Sequence, residues 1–232
     1  MSRTLTIILG VIISVQAIGE VVINEIATTH VARNLRWDEN EQAYPGSGPA
    51  WWSASFDDSR WLSGNLPMGY SLGSIATDLG SGLRGISPSF YVRKNFEVST
   101  SEAASSAPMV LRINYNDGFI AWINGVEVAR GNMGAVKAHI YHNQLSHRAS
   151  TLGTNIESIT LPIASELLTQ GKNVIAVQVN NLTLTGNMRL EMSLRIDEPS
   201  GIDPQLFSSG GSVTYLPGSV SYTHLTLPTM FE

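Results

Sequence analysis

The chain has 232 residues, a formal net charge of −5, 14% charged residues, 21 glycines and no cysteine. The acidic balance excludes a nucleic-acid partner recognised through clustered Lys and Arg, and the missing thiols exclude thiol catalysis and thiolate metal sites. Few charges and many glycines predict a β-rich domain with tight turns rather than a helical bundle. The length is enough for one sizeable β-domain whose core stands without disulfides.

Residues 1–17 have the pattern of a secretory signal peptide. Arg3 gives the positive n-region, 5–15 is an apolar run, and Val15-Gln16-Ala17 has the small-residue cleavage pattern. The run is shorter than the roughly 20 residues of a membrane span. The expectation is therefore export, secreted or at the cell surface, with no membrane span in the mature chain. An uncleaved anchor or a buried strand is the alternative. Residues 18–32 read as a short strand and linker, and Trp37 as the first anchor of the main domain, which is expected over 33–197.

Trp51, Trp52, Phe56 and Trp61 bring a large apolar payload into a loop-like stretch. They are read as core that plugs one end of the fold, with a stacking platform for a sugar ring as the functional alternative. Asp57-Asp58-Ser59 could cap a helical turn or offer oxygens to calcium, though two carboxylates fall short of the six to eight oxygens calcium takes. Residues 64–85 read as a long Gly/Ser-rich surface excursion with one firm turn at Pro67-Met68-Gly69-Tyr70. Residues 90–98 and 109–115 read as strands joined by a Ser/Ala linker.

Asn116-Asp117-Gly118 predicts a turn, because these residues tolerate positive φ. A strand over 119–123 then meets Asn124-Gly125, the signal for a type I′ hairpin, and 126–130 returns with Val126 and Val128 on one face. His139, His142 and His147 lie in the following loop. No helical pattern aligns them and no carboxylate is near in sequence, so they read as exposed histidines rather than a metal set. Residues 155–161 predict a strand, 162–168 one or two helical turns, and 174–181 a buried strand. Residues 188–196 alternate cleanly, with Met188, Leu190, Met192, Leu194 and Ile196 on one face. Residues 198–219 read as a Gly/Ser/Pro linker or the start of a further domain. The sum is an all-β protein, an antiparallel jelly-roll β-sandwich with at most one short helix.

Several motifs in series carry a family resemblance: Phe56-Asp57-Asp58-Ser59-Arg60-Trp61, Pro67-Met68-Gly69-Tyr70, Tyr91-Val92-Arg93-Lys94-Asn95-Phe96, Asn116-Asp117-Gly118-Phe119, Ile123-Asn124-Gly125-Val126 and Gly171-Lys172-Asn173-Val174. Over about 165 residues the chain resembles the galactose-binding-like jelly-roll domains of large secreted bacterial proteins, which also carry lamin-tail or spore-coat-kinase-like domains. A similar sandwich forms the sugar-binding domain of many β-galactosidases and β-glucuronidases. The chain departs from the family pattern at Asn116, where an aspartate is usual, and at Gln178-Val179-Asn180, where an acidic residue and a histidine are usual. Residues 220–229 resemble a translated sequencing adapter, so 220–232 is expected to be foreign to the natural protein.

The resemblance implies a non-catalytic extracellular binding module, with a glycan or cell-surface polysaccharide as ligand and the other domains of the same polypeptide as partners. Candidate contacts are Trp52, Trp61, Tyr70, Asp117 and Trp122. The alternatives are a structural spacer with no small ligand and an accessory domain of a secreted hydrolase. Asp57, Asp58, Asp117 and Glu127 are not paired by any spacing that suits glycosidase chemistry. No catalytic residue and no cofactor are expected, with calcium left open.

Overall fold

The computed structural model describes residues 50–138, 140 and 143–217, together with the two-residue strands β1 (Val15–Gln16) and β2 (Glu20–Val21), which pair antiparallel. The signal-peptide pattern, Trp37, His139, His142 and the adapter-like 220–232 otherwise lie outside the described residues.

The remaining strands, in chain order, are β3 (Leu62–Asn65), β4 (Met68–Tyr70), β5 (Thr77–Asp78), β6 (Ser89–Val98), β7 (Pro108–Asn116), β8 (Gly118–Ile123), β9 (Val126–Gly131), β10 (Glu157–Ile163), β11 (Gly171–Asn180), β12 (Met188–Ile196), β13 (Gln205–Phe207) and β14 (Ser212–Pro217). They form two six-stranded sheets. The first runs β10-β7-β12-β4-β5, with β13 also on β12; the second runs β3-β14-β6-β11-β8-β9. All pairings are antiparallel except β4 with β5. The protein is an all-β sandwich.

The alternation of side chains builds the core. Met109, Leu111, Ile113 and Tyr115 of β7 and Met188 to Ile196 at every second residue of β12 face Phe90, Val92, Ile175, Val177, Val179, Phe119, Ala121 and Ile123 of the second sheet. Each fully buried aliphatic or aromatic side chain in such a layer contributes about 1.5–3 kcal/mol by leaving water.

Several local expectations change. Among the described residues three single-turn helices are present rather than one: α1 (Gly80–Leu83), α2 (Thr100–Ala103) and α3 (Ala164–Leu167). The presumed Ser/Ala linker holds α2, closed by a capping box in which Ser99 Oγ accepts from the Glu102 amide while the Glu102 carboxylate accepts from the Ser99 amide. Residues 64–85 are not a surface excursion, because Met68, Tyr70, Leu79 and Leu83 enter the core. Gly69 (φ +141°) makes this possible: a Cβ there would stand 2.1 Å from the Met188 carbonyl oxygen of β12. Residues 198–217 are not a linker either. β13 extends the first sheet, and β14 lies between β3 and β6 with Val213 and Leu216 buried.

The hairpin forms as expected, with φ of 51° at Asn124 and 94° at Gly125. Asn124 also ties the turn to the next one. Its amide donates to Asn173 Oδ1 (2.7 Å) and the Leu167 carbonyl (2.9 Å), and its oxygen accepts from the Val174 amide. At Asn116-Asp117-Gly118 none of the three residues has positive φ. Here the chain passes from the first sheet, where Asn116 pairs with Arg189, to the second, where Gly118 pairs with Asn180.

Candidate functional site

The outer face of the second sheet carries a second, smaller core. Tyr91, Ile120, Trp122, Ala176 and Leu216 point away from the main core and are covered by Trp51, Met133 and Ile140. Residues 50–61 cross this face without regular structure. Trp51 is the centre of the cluster, with 1% of its surface exposed. Its ring meets Tyr91 at 4.9 Å and Trp122 at 5.3 Å edge-on, and Trp61 stacks on it at 6.0 Å. Trp52 stacks on Trp122 at 5.5 Å with 20° between the planes. Trp52, Phe56 and Trp61 remain partly exposed.

A buried arginine holds this strap. Arg93 of β6 is 2% exposed. Its Nε donates to Asp58 Oδ2 at 3.0 Å, and its Nη1 donates to the carbonyls of Trp51 and Ser53. Its Nη2 reaches the Phe56 carbonyl at 3.4 Å, and the guanidinium lies 5.3 Å from the Phe56 ring centre. Burial lowers the Arg93 pKa and the Asp58 carboxylate opposes that shift. Burial pushes the Tyr91 hydroxyl up.

The five expected contacts fall in three places. Trp52, Trp61 and Trp122 come together in the aromatic cluster. Tyr70 lies in the main core on β4, where its hydroxyl is 3.4 Å from Asn181 Nδ2 and burial raises its pKa. Asp117 sits at the sheet crossover, 8% exposed. Its Oδ1 accepts from the Ser150 amide (3.0 Å) and its Oδ2 from the Leu182 amide (2.9 Å), so both carboxylate oxygens tie loops.

Asp57 and Asp58 diverge. Asp57 caps its own turn through the Ser59 amide, which lowers its pKa, while Asp58 is taken by Arg93 and by the Thr214 hydroxyl at 2.7 Å. No three His, Asp or Glu side chains gather into a set able to hold a metal among the described residues. His147 is exposed and lies 3.3 Å from the Gln144 amide.

One pattern escapes the sequence reading above. Gly69-Tyr70-Ser71-Leu72-Gly73 has the Gly-x-Ser-x-Gly spacing of a nucleophile elbow. Ser71 follows β4 with φ of 60°, yet no helix starts after it. Its Oγ meets Arg84 Nη1 at 3.5 Å rather than a histidine. The base that the motif needs is missing from its hydrogen bonds.

Two further arginines, Arg130 and Arg189, pin loop carbonyls as Arg93 does, and a third, the more exposed Arg195, bridges two carboxylates. Arg130 forms a two-bonded pair with Glu127 and donates to the carbonyls of Met133 and Ala138, fixing the loop that lays Met133 onto the aromatic cluster. Arg189 binds Glu191 and the carbonyls of Leu72 and Ser74. Arg195 binds Asp197 and Asp203.

No protein-family model matches the chain, and no curated protein matches it. Among solved structures it is similar to a β-glucuronidase from Bacteroides uniformis, with TM-score 0.38 and 17% identity over 74% of this chain and 16% of that one. It is also similar to an α-L-rhamnosidase from Dictyoglumus thermophilum, with TM-score 0.36 and 14% identity over 67% and 16% of the two chains. A lectin from Pleurotus ostreatus gives TM-score 0.33 and 13% identity over 72% and 36%. The chain spans no more than 16% of the length of these glycosidases. Its assignment as a β-sandwich rests on its own strand pairing.

Proposed function

We propose that this chain is a non-catalytic extracellular binding module whose ligand is a glycan, working within a larger secreted protein. The observation that carries the reading is the aromatic cluster on the outer face of the second sheet. Trp122 backs Trp52 and Trp51 backs Trp61, while Trp52 and Trp61 keep part of their own surface open. Rigid, partly exposed indoles present apolar faces at little conformational cost, which suits the C–H face of a sugar ring. The resemblance to galactose-binding-like jelly rolls supports the same reading, in which Trp52 and Trp61 contact the ligand and Trp122 lies beneath Trp52.

Tyr70 and Asp117 are assigned positioning roles rather than contacts, since one packs in the core and the other bonds two loop amides. A structural spacer is the second reading. It is favoured by the burial of Trp51 and Arg93, which explains the strap without any ligand.

The test is a glycan array of the chain, followed by titration calorimetry on any hit with the wild type, W52A and W61A. Binding that weakens at least tenfold in both variants while the fold persists supports the module. No array signal from folded protein favours the spacer.

A further inference from the structure

The outer face of the first sheet, on the far side of the sandwich from the tryptophans, carries a second polar constellation. Arg189 and Glu191 of β12 stand beside Asn116 and Asn114 of β7 in register, all on the face opposite the core. Arg189 is 6% exposed and Asn114 fully buried. Two loops close over them. Arg189 Nη1 donates to the carbonyls of Leu72 (2.9 Å) and Ser74 (2.8 Å), and Asn114 Nδ2 donates to those of Gly153 (3.3 Å) and Asn155. The loops meet at Gly73 (φ +67°), where a Cβ would lie 3.1 Å from Thr154 Cγ2 and 3.2 Å from Arg189 Nη1.

One donor and one acceptor remain unspent in this nook. Arg189 Nε–H and Asn114 Oδ1 are both buried and both lack a partner. Leaving a buried polar atom unpaired is costly, so groups held this firmly in place point to an occupant. The chemistry of the pair defines it. The Arg189 charge is already met by Glu191 Oε2 at 2.6 Å, so an anion gains little. Hydroxyl groups supply what the two atoms need, one accepting from Nε–H and one donating to Oδ1.

We infer that Arg189 and Asn114, braced by Glu191, form a hydroxyl-binding subsite for a neutral polyhydroxy ligand, a monosaccharide or polyol, separate from the tryptophan cluster. The Arg–Glu pair orients the guanidinium, and the Asn114 amide, fixed by two loop carbonyls, aims its oxygen.

The test is a ¹⁵N correlation titration of the full chain with D-galactose, D-glucose and L-rhamnose. It follows the Arg189 Nε–H and the Asn114 side-chain amide. Saturable shifts of both signals with at least one sugar are expected. R189K keeps the charge but removes Nε–H, and should weaken that binding about tenfold, the equivalent of one charge-assisted hydrogen bond. The shifts should persist in W52A and W61A, which separates this subsite from the tryptophan reading. Folded wild-type protein with no saturable shift for any sugar overturns the inference and leaves Arg189 as a loop pin with a resident water. Shifts driven by sulfate or acetate instead, or unaffected by R189K, overturn it as well.

Discussion

Removing the Asp58 carboxylate tests how the aromatic strap is held. D58A leaves Arg93, 2% exposed, without its counter-charge, and leaves the Thr214 hydroxyl only the longer bond to the Arg93 carbonyl at 3.4 Å. Breaking a fully buried ion pair by deleting one partner costs about 3–5 kcal/mol. Two features reduce that figure. The Asp58 side chain is 17% exposed, and Arg93 keeps its carbonyl acceptors on Trp51, Ser53 and Phe56. The expected loss is therefore about 2–3 kcal/mol, or roughly 4–12 °C in Tm for a domain of this size. Urea unfolding followed by tryptophan fluorescence is the assay, because Trp51, Trp52, Trp61 and Trp122 all report on the strap. A red-shifted native spectrum should accompany the loss as the strap loosens. R93M/D58A should be more stable than the sum of the single variants by about 1–3 kcal/mol, since the stranded charge is gone. A D58A protein within about 0.5 kcal/mol of wild type, with an unchanged spectrum, would refute the reasoning and show that ring packing alone holds the strap.

Three further outcomes follow from other positions. G69A should fail to give folded protein, because its Cβ would meet the Met188 carbonyl at 2.1 Å and β4 could not pair with β12; circular dichroism of the purified variant checks this. D117N should cost about 1–3 kcal/mol in urea unfolding, since an amide nitrogen cannot accept from the Ser150 or Leu182 amide that one carboxylate oxygen serves. Burial, with the Glu157 charge beside it, pushes the Tyr115 hydroxyl up to about 12 from the ordinary 10.0. The unfolded chain then loses this proton first, so stability is full below pH 10 and falls as the pH rises towards 12. A denaturant midpoint that stays flat across this window in wild type, or falls equally in Y115F, would remove Tyr115 as the cause.

Much of the fold is legible in the sequence where a local rule is strong. The alternation over Met188–Ile196 places every second residue in the core, as the two-residue period of a strand requires. Asn124-Gly125 dictates its own turn, because a type I′ hairpin demands positive φ at both positions and these residues supply it. Weak local signals mislead. Residues 64–85 and 198–217 look like loops because Gly, Ser and Pro dominate them. Yet Met68, Tyr70, Val213 and Leu216 are buried, since strands of three to six residues gain their stability from neighbouring strands. The turn at Asp117 also looks local and is not: its geometry follows from a change of sheet and from bonds to residues 33 and 65 positions away.

The candidate site divides in the same way. The clustering of Trp51, Trp52, Phe56 and Trp61 is written in the sequence, but that Trp51 alone is buried while the other three stay partly exposed is not. That they lie on the outside of the second sheet against Trp122, and that Arg93 pins them, is decided by tertiary structure alone. Asp58 and Arg93 are separated by 35 positions and Asn114 and Gly153 by 39, and no periodicity links such pairs. The sequence by itself determined the long, regularly patterned strands, where the tight hairpin turns, and that a β-sandwich results, because these depend on side-chain period and backbone conformation within a few residues. The pairing of strands, the faces left outside the core and the arginine-held loops over them were decided only when distant segments packed, because ion pairs and buried amides draw their strength from surroundings that the folded chain alone creates.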